Sequence, residues 1–360
     1  FVLTTTHAVS TITASLRVMD VVMKVMRSLT LALALGAGLM PLSSHAWWNG
    51  DFKHRTKVTL NTTAQGVETK EALSGVVVPV RLHSGNFDFL AAKPDGSDIR
   101  VVGADDKAPL KFWVERFDAT NELAVLWVQV PSVAPGTDKN HVFVYAGNEK
   151  AAAEATSAAL FDGAMLAAIT MSGPDGEAVD ASGQIKSSAA IAREANGLIG
   201  AAARLDGQQG IAFNSDKLKA GATGPYSVSL WVKPEAAAGK LVRQGALSVS
   251  LDGGKLSAAL GSTQAAGGEL PANAWAHVAV TVGAGKLTVY VNGAQSAQAD
   301  LGAGAAIDGP LVVGEGVKGL VDELEVASTV RSADWIKLAA AAQSADAKLV
   351  ASVTQNAESA

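Results

Sequence analysis

The acidic string Asp322-Glu323-Leu324-Glu325 comes nearest to glycosidase chemistry in this sequence. Glycoside hydrolysis needs two carboxylates across the scissile bond, about 5–5.5 Å apart for retention and about 6.5–9.5 Å apart for inversion. Alternate residues of a β-strand share a face, so Glu323 and Glu325 point one way and Asp322 the other. Because strand carboxylates are usually solvated, we expect a surface-facing glutamate pair, with Asp322 bonded into a turn or strand end. The string predicts no catalytic residue, and a glycoside hydrolase stays as the less favoured alternative.

Histidine chemistry has equally little support. The chain after residue 46 contains His54, His83, His141 and His277, and no pair of them has the spacing of a zinc site. No Gly-x-Ser-x-Gly elbow accompanies them, and the sequence has no cysteine. We expect His277 to be a packed, hydrogen-bonded strand histidine and His141 to begin a strand. The sequence thus favours neither a hydrolase triad nor a transition-metal site.

Aromatic platforms for carbohydrate binding are the remaining chemistry. Trp113, Trp127 and Trp231 each lie in a segment that alternates like a β-strand. Such a residue is either an exposed platform or, more often, packed against the core or a neighbouring domain. Trp47 and Trp48 could pack against the first domain and close its core, or they could contact the second domain, and the sequence does not decide between these two positions.

Composition limits the classes of partner. The 360 residues carry a formal net charge of −5 with 18% charged residues. Without clusters of Lys and Arg there is no electrostatic footprint for nucleic acid. The length suits two domains, which without disulfides must be held by core burial.

An export signal precedes the folded part. Residues 23–27 form a short basic segment, residues 29–40 are apolar, and Ser44-His45-Ala46 fits a small-x-small cleavage site. The apolar run is shorter than the ~20 residues of a membrane-spanning helix, although an uncleaved anchor stays as the alternative. We expect a signal peptide over residues 23–46, cleaved between Ala46 and Trp47, and an over-extended or non-native start over residues 1–22. The mature chain is then periplasmic or extracellular.

The chain after the signal reads as short β-strands separated by turns. Residues 47–148 contain six such runs, which predicts an antiparallel sandwich. Residues 149–160 are predicted as a linker, and residues 161–330 show hairpin after hairpin, as in a jelly roll. Ser332 caps a predicted helix that runs from Ala333 to about Val350, and residues 331–360 are interpreted as this helix and a polar tail. The predicted fold class is therefore all-β, with two antiparallel sandwiches and a short C-terminal helix.

The first domain resembles the DUF2341 family, a domain of unknown function in bacterial and archaeal envelope proteins. Its motifs follow in order across residues 47–148: Trp47-Trp48-Asn49, Val76-Val77-Val78-Pro79-Val80, Phe87-Asp88-Phe89, Asp95-Gly96-Ser97-Asp98-Ile99-Arg100, Phe112-Trp113-Val114-Glu115, Leu126-Trp127-Val128-Gln129-Val130-Pro131 and Val144-Tyr145-Ala146-Gly147-Asn148. The resemblance implies an architecture and an envelope location rather than an activity.

The second domain resembles the laminin-G-like, concanavalin A-type jelly rolls over residues 161–340. The motifs are Asp180-Ala181-Ser182-Gly183, Arg204-Leu205-Asp206-Gly207, Tyr226-Ser227-Val228-Ser229-Leu230-Trp231-Val232-Lys233-Pro234, Trp275-Ala276-His277-Val278-Ala279, Leu287-Thr288-Val289-Tyr290-Val291-Asn292-Gly293 and Gly319-Leu320-Val321-Asp322-Glu323-Leu324. Some members of this superfamily are glycosidases, but the Glu-x-Asp-x-x-Glu string of the laminarinase-like branch does not occur here.

Calcium is the cofactor that this resemblance allows, because some relatives bind it through loop aspartates and carbonyls. Asp175, Asp180, Asp206 and Asp322 are the candidates by their place in the motifs. None lies in a dense Asp-x-Asp loop, and loop aspartates more often cap turns, so no cofactor is the favoured expectation.

The domain pair resembles the extracytoplasmic part of bacterial MotA/TolQ/ExbB-type proton-channel fusion proteins. The favoured interpretation is a non-catalytic exported module of the envelope that binds a glycan or an envelope protein. The alternative is the extracytoplasmic domain of such a proton-channel or biopolymer-transport protein, truncated at Ala360 before its membrane helices.

Overall fold

A computed structural model describes residues 47–154, 160–173, 176–222, 224–344 and 348–356. The predicted signal peptide, the start at residues 1–22 and the calcium candidate Asp175 lie outside the described residues. The predicted cleavage site is described only on its Trp47 side. No helix within the described ranges has the length and apolarity needed to cross a membrane.

The first domain is an antiparallel sandwich. Its first six strands are β1 (His54–Leu60), β2 (Leu73–His83), β3 (Arg100–Val102), β4 (Phe112–Asp118), β5 (Leu123–Val133) and β6 (Asn140–Ala146). One sheet has the order β2-β5-β4, and the other contains β1-β6-β3. Val78 and Leu126 from the first sheet meet Val58 and Val144 from the second in one buried core. Alternation of apolar residues along these strands directs one face of each sheet into that core.

The second domain is a larger antiparallel sandwich of two sheets. Its strands are β7 (Met165–Ile169), β8 (Gly176–Val179), β9 (Lys186–Ile191), β10 (Arg193–Glu194), β11 (Ala202–Asp206), β12 (Ile211–Phe213), β13 (Tyr226–Pro234), β14 (Ala238–Gln244), β15 (Leu247–Asp252), β16 (Lys255–Leu260), β17 (Thr263–Glu269), β18 (Ala276–Gly283), β19 (Lys286–Val291), β20 (Ala294–Asp300), β21 (Leu311–Glu315) and β22 (Lys318–Ala327). A 3-10 turn spans Asp216–Leu218.

The two sheets of this domain enclose a single apolar core. One has the order β10-β11-β22-β13-β18-β19-β20, with β7 also paired to β22, and the other has the order β17-β16-β15-β14-β21-β12-β9-β8. Val228, Leu230 and Val232 of β13 point inward and pack with Val249 of the facing sheet. The all-β class and the jelly roll predicted from the sequence are confirmed.

The C-terminal segment returns to the first domain, which corrects the predicted domain limits. The helix α1 (Ala333–Gln343) begins after Ser332, whose Oγ accepts from Trp335 N at 3.2 Å, but it ends before the predicted Val350. Strand β23 (Val350–Asn356) then pairs antiparallel with β1. The predicted polar tail is therefore partly an edge strand, because backbone pairing does not require apolar side chains.

The jelly roll is consequently an insertion within the first sandwich. It lies between β6 and the α1–β23 segment of the chain. Leu338, Ala342 and Leu349 are buried in the core of the first domain. Strand β23 and the buried residues of the C-terminal segment therefore belong to the same sandwich as residues 47–148.

Candidate functional site

The outer face of the β2-β5-β4 sheet contacts the jelly roll. Trp127 of β5 is buried there with Leu160 and Ile199. Gln129, two residues further along β5, donates through Nε2 to Leu160 O at 2.5 Å. Trp127, which the sequence left as either a platform or a packed residue, is packed against the second domain. Because the two domains are packed together here, residues of both domains line the neighbouring clefts.

One cleft has a volume of about 730 Å³, and we call it the Trp275 cleft. It is lined by parts of both domains and by α1, among them Gly66, Glu68, Leu198, Trp275, Asn292 and Lys337. Its size is within the range of small-molecule sites, about 300–1,000 Å³. One wall is aromatic and the others carry polar groups, so the cleft can present both stacking and hydrogen-bonding surfaces.

Two indoles form the aromatic wall, and they differ in exposure. Trp275 precedes β18 and is half-buried. Trp231 of β13 is only 5% exposed, since its Nε1 donates to Gln343 Oε1 at 2.8 Å and its ring packs edge-on against His277 at 5.4 Å. Trp231, a candidate platform in the sequence, is anchored between sheet and helix. Trp275 is the indole that offers surface to a ligand.

The polar wall of the Trp275 cleft contains Asn292 and Lys337, and hydrogen bonds to the backbone fix both side chains. Asn292 occupies a left-handed turn after β19, with φ 49°, and its Oδ1 accepts from His277 N at 2.9 Å. The Nδ2 group is therefore the part of this amide that can donate to a ligand. Lys337 of α1 donates through Nζ to Glu68 O at 2.7 Å, which joins the helix to the loop after β1.

A second contact fixes the same loop to the start of α1. Asp334 Oδ2 accepts from Lys70 N at 2.5 Å and from Glu71 N at 3.1 Å. A carboxylate at this position also interacts favourably with the helix dipole. The walls of the Trp275 cleft are thus joined by hydrogen bonds, and the cleft exists without a ligand.

A smaller cleft of about 310 Å³, which we call the Trp113 cleft, lies where the sheet edge of the first domain faces a jelly-roll turn. Trp113 of β4 forms one wall. Thr170 and Ser172, which follow β7, also line it, and the turn containing Asp180 and Ser182 closes the other side. The cleft therefore brings one of the sequence-predicted aromatic candidates next to the predicted Asp-x-Ser-Gly motif.

The aspartates that were candidates for calcium binding each accept hydrogen bonds from a different backbone segment. Asp180 is buried and accepts from Ile185 N at 2.6 Å, from Ser182 N at 3.0 Å and from Ser182 Oγ at 2.5 Å. Asp206 accepts from Gln208 N at 2.9 Å. Within the described ranges, no group of three or more His, Cys, Asp or Glu side chains could hold a metal. The structure does not bring Asp180, Asp206 and Asp322 together.

Asp322 anchors the loop that precedes β11. Its Oδ2 accepts from Leu198 N at 2.9 Å and from Ile199 N at 3.2 Å, while Oδ1 accepts from Glu323 N at 3.0 Å. Leu198 lines the Trp275 cleft. Asp322 is therefore hydrogen-bonded to a loop, as predicted, and it positions one wall of the Trp275 cleft.

The prediction that Glu323 and Glu325 form a surface-facing pair is wrong. Glu323 is 3% exposed, and its backbone is left-handed with φ 49°. Between the pairs Ser229↔Glu325 and Trp231↔Asp322, two residues of β22 oppose one of β13, so Glu323 lies in a β-bulge. Glu325 is half-buried and accepts from Gln343 Nε2 at 2.9 Å. The bulge breaks the alternation on which the prediction depended.

The first domain also contributes a carboxylate that lies in a β-bulge, that of Glu115. In β4 the register shifts between Val114 and Arg116, which leaves Glu115 as the extra residue of a second bulge. Glu115 Oε2 accepts from Trp127 Nε1 at 2.6 Å, and its Oε1 has no hydrogen-bond partner. Burial raises the pKa of Glu115, while contacts with Ser172, Trp127, Thr170 and Arg81 oppose this shift.

Glu323 faces this group across the interface. Burial raises the pKa of Glu323 well above 4.5, and the negative charges of Asp322 and Glu115 raise it further. Arg81 opposes that increase, and its guanidinium also donates to the last carbonyls of α1, Ala342 O at 3.2 Å and Gln343 O at 2.6 Å. Since Glu323 Oε1 has no donor and Asp322 has three, the charged form is stabilised less at Glu323 than at Asp322.

The histidines do not converge on a site. His277 is 2% exposed and packed, as predicted, but its Nδ1 lacks a hydrogen-bond partner, and burial lowers its pKa to about 4. His141 lies at the start of β6, with Nδ1 2.8 Å from Lys139 O. His83 ends β2, and His54 is 3.9 Å from Asp88.

The N-terminal tryptophans pack onto the first sandwich, which settles the question that the sequence left open. Trp47 and Trp48 contact Tyr145 with ring centroids 5.5 and 5.8 Å apart. Trp48 also lies 5.5 Å from Phe52, and the Arg55 guanidinium is 5.2 Å from the Trp47 ring. The pair covers an aromatic cluster on the outer face of the β1-β6-β3 sheet.

Family models match parts of both domains. Residues 95–169 match DUF2341, a domain of unknown function, and residues 205–337 match the concanavalin A-like lectin/glucanases superfamily. The chain therefore carries a DUF2341 domain followed by a concanavalin A-like domain, as its motifs predicted. No curated protein matches the chain.

Several solved structures are similar to this chain. Domain 4 of AbnA, a GH43 extracellular arabinanase from Geobacillus stearothermophilus in complex with arabinotriose, is 29% identical with a TM-score of 0.33, over 41% of this chain and 81% of that one. The binding domain of Paraclostridial Mosquitocidal Protein 1 is 15% identical with a TM-score of 0.42, over 49% and 51%. A Trypanosoma rangeli sialidase complex is 12% identical with a TM-score of 0.43, over 63% and 43%. This chain spans about half of the second structure and less than half of the third.

Sequence reasoning missed most of the cleft residues. Glu68 lies between two predicted strands and Lys337 lies in the predicted C-terminal helix, and only the return of the chain to the first domain brings them together. Trp275 was recognised as part of a motif but not as a ligand surface. The available signal was a tryptophan just before a predicted strand, together with the Asn292-Gly293 turn that ends the following strand.

Proposed function

We propose that this chain is an exported, non-catalytic binding module of the bacterial envelope whose ligand is a glycan held in the Trp275 cleft. The observation that carries the proposal is a cleft of about 730 Å³ in which Trp275 lies with Asn292 and Lys337. An indole face packs against the C–H face of a sugar ring, because its π-system is electron-rich. The amide and the ammonium group supply hydrogen-bond donors for sugar hydroxyl or carboxyl groups.

The positions of the acidic side chains support binding without hydrolysis. Glu68 is the carboxylate that lines the Trp275 cleft, and Asp180, which lines the Trp113 cleft, is bonded to its own turn. Glu323 is buried at the domain interface and lines neither cleft. A glycosidase requires two carboxylates around one bond. One carboxylate in the cleft suits recognition of a sugar better than its cleavage.

Calorimetric titration of the full chain with cellohexaose, xylohexaose, arabinohexaose and hexagalacturonate tests the proposal. Ala64 is exposed and lines the Trp275 cleft, so Ala64→Phe should block it without removing a packed side chain. Trp275→Ala should weaken binding at least about tenfold by removing the stacking surface. Ala236→Phe, at an exposed turn outside both clefts, is the matched control.

The proposal fails if no saccharide binds, or if Ala64→Phe and Trp275→Ala bind as tightly as the unmodified chain. Its non-catalytic part fails if the chain releases reducing ends from a polysaccharide and Glu323→Gln abolishes that release. A hydrolytic activity unaffected by Glu323→Gln would equally contradict a non-catalytic module, with other residues responsible.

Export is the second part of the proposal, and it depends on the pattern of residues 23–46. Expression in a Gram-negative host followed by fractionation and N-terminal sequencing tests it. We expect a periplasmic or secreted chain that starts at Trp47. A chain that stays in the cytoplasm with residues 23–46 intact contradicts export.

A second candidate function is the extracytoplasmic part of a MotA/TolQ/ExbB-type protein. It rests only on the resemblance of the sequence motifs and their order, since the two matched families name no channel protein. A natural reading frame that continues beyond the Ala360 codon into transmembrane helices would support this function, and a stop codon there would contradict it.

A further inference from the structure

We infer that the Trp113 cleft is a second binding site, formed jointly by the two domains, and that it takes an uncharged saccharide. This inference goes beyond the proposed function, since the cleft is lined by residues that do not line the Trp275 cleft. It would stand even if the Trp275 cleft bound nothing. Its volume of about 310 Å³ is at the lower end of the range for small-molecule sites.

The walls of the cleft match the two sides of a sugar ring. Trp113 is half-buried and contributes an indole, and Val179 on the opposite rim is 48% exposed. These apolar groups can cover the C–H face of a ring. Thr170 and Ser172 line the same cleft and contribute hydroxyl groups, which both donate and accept hydrogen bonds.

The hydroxyl groups set the polarity of the cleft. Thr170 and Ser172 also lie beside the Glu115 carboxyl group, which does not itself line the cleft. Lining hydroxyl groups favour a ligand that carries both hydrogen-bond donors and acceptors over an apolar one. A polyol meets this requirement.

The charges around the cleft favour a neutral ligand. No Lys, Arg or His is among the described residues that line it, so an acidic sugar finds no cation there. Asp180 is the lining carboxylate, and both of its oxygens accept hydrogen bonds from its own turn. Its charge is therefore already stabilised and does not need a cationic ligand.

The cleft is rigid before any ligand arrives. Glu115 is fixed by Trp127 Nε1 at 2.6 Å, and Ser172 Oγ accepts from Ala201 N at 3.2 Å. Ala181 N donates to Ala168 O at 2.8 Å, which ties the turn to β7. A preformed site avoids the entropy of ordering its walls on binding.

The test is calorimetric titration of the full chain carrying Ala64→Phe, so that the Trp275 cleft is blocked. The probes are the neutral cellohexaose, xylohexaose and arabinohexaose, the acidic hexagalacturonate, and the cationic chitosan hexamer. Ala181 is half-exposed and lines the Trp113 cleft, and Ala181→Phe should fill it while leaving every packed side chain in place. Ala236→Phe, outside both clefts, is the control.

We expect at least one neutral hexasaccharide to bind the Ala64→Phe chain, and Ala181→Phe to weaken that binding at least about tenfold. Trp113→Ala should have the same effect, and unchanged melting of Ala181→Phe separates blocking from unfolding. The inference is overturned if Ala64→Phe alone removes all neutral binding, a result that leaves the proposed function intact. Three further results would overturn the inference. The first is binding that survives both blocking substitutions. The others are binding of a charged probe only and a lack of binding of every neutral probe.

Discussion

Glu115 and Glu323 are both extra residues in β-bulges, one in each domain, and the charge of Glu115 raises the pKa of Glu323 across their interface. A bulge displaces one side chain from the regular alternation of a strand. Here both displaced side chains are acidic and meet where the domains pack. Because the pKa of Glu323 is raised in the folded chain, the strength of the interface should depend on pH.

Replacing Glu323 by glutamine should stabilise the protein at high pH. Burial raises the pKa of Glu323 in the folded chain above the ordinary 4.5. Below about pH 4.5 both folded and unfolded chains are protonated, and above it the unfolded chain releases its proton first. Stability is thus lost as pH rises through this window, at about 1.4 kcal/mol for each unit of the shift. Urea unfolding at about pH 4 and about pH 8 should show Glu323→Gln matching the parent at the lower pH and exceeding it at the higher.

Glu149→Gln, at an exposed site, is the control and should leave the pH profile unchanged. If the stabilities of Glu323→Gln and the parent chain run parallel at all pH values, the pKa of Glu323 is not raised on folding, which contradicts this prediction.

Asp322 should position the loop of the Trp275 cleft. Its carboxylate accepts three backbone N–H donors, including those of Leu198 and Ile199. Asp322→Ala leaves buried donors unpaired, and we expect a loss of about 3 kcal/mol in the free energy of unfolding. Native-state amide exchange of Leu198 and Ile199 should accelerate more than that of β13, while Asp322→Asn should recover part of the protection. Exchange at these two amides equal to that of the control Asp252→Ala, an exposed residue at the end of β15, would contradict this role.

His277 should stay neutral well below its ordinary titration range. Burial lowers its pKa from 6.5 to about 4, and its Nδ1 has no partner. A depressed pKa contributes stability that is complete above pH 6.5 and lost as pH falls towards 4, about 3 kcal/mol in total. In NMR titrations the His277 ring signals should not move between about pH 7.5 and about pH 5.5. A midpoint for His277 near 6.5 would refute its neutral burial.

Much of the fold was predictable because the inner strands alternate clearly. Val228, Leu230 and Val232 face the core of the jelly roll, as their spacing in β13 predicts. Strands β17 and β20 escaped notice because their residues are mainly Ala, Gly and Gln, which have low strand propensity. Such strands form through backbone pairing with a neighbour, and a single sequence carries little sign of that.

The candidate sites were less predictable for two physical reasons. A bulge shifts the face on which a residue lies, and a Glu in a left-handed conformation, such as Glu323, is rarely expected from sequence. Both clefts are also formed by residues distant in the chain, such as Trp113 with Asp180 and Glu68 with Lys337. Local periodicity predicts what an element is, but not which loop of another domain will face it.

The return of the chain to the first domain gives the last prediction. Strand β23 pairs with β1 over seven residues, and Leu349 just before it is buried in the first core. Ending the chain at Ser344 should remove about 3 kcal/mol from the stability of the first sandwich, since Leu349 and Val350 no longer bury apolar surface. Unpaired N–H and C=O groups along β1 should also make this shortened chain associate. Urea unfolding and size-exclusion chromatography measure the two effects, with a chain ending at Asn356 as the control. If the chain ending at Ser344 is as stable and as monomeric as that control, β23 is not part of the first sandwich in solution.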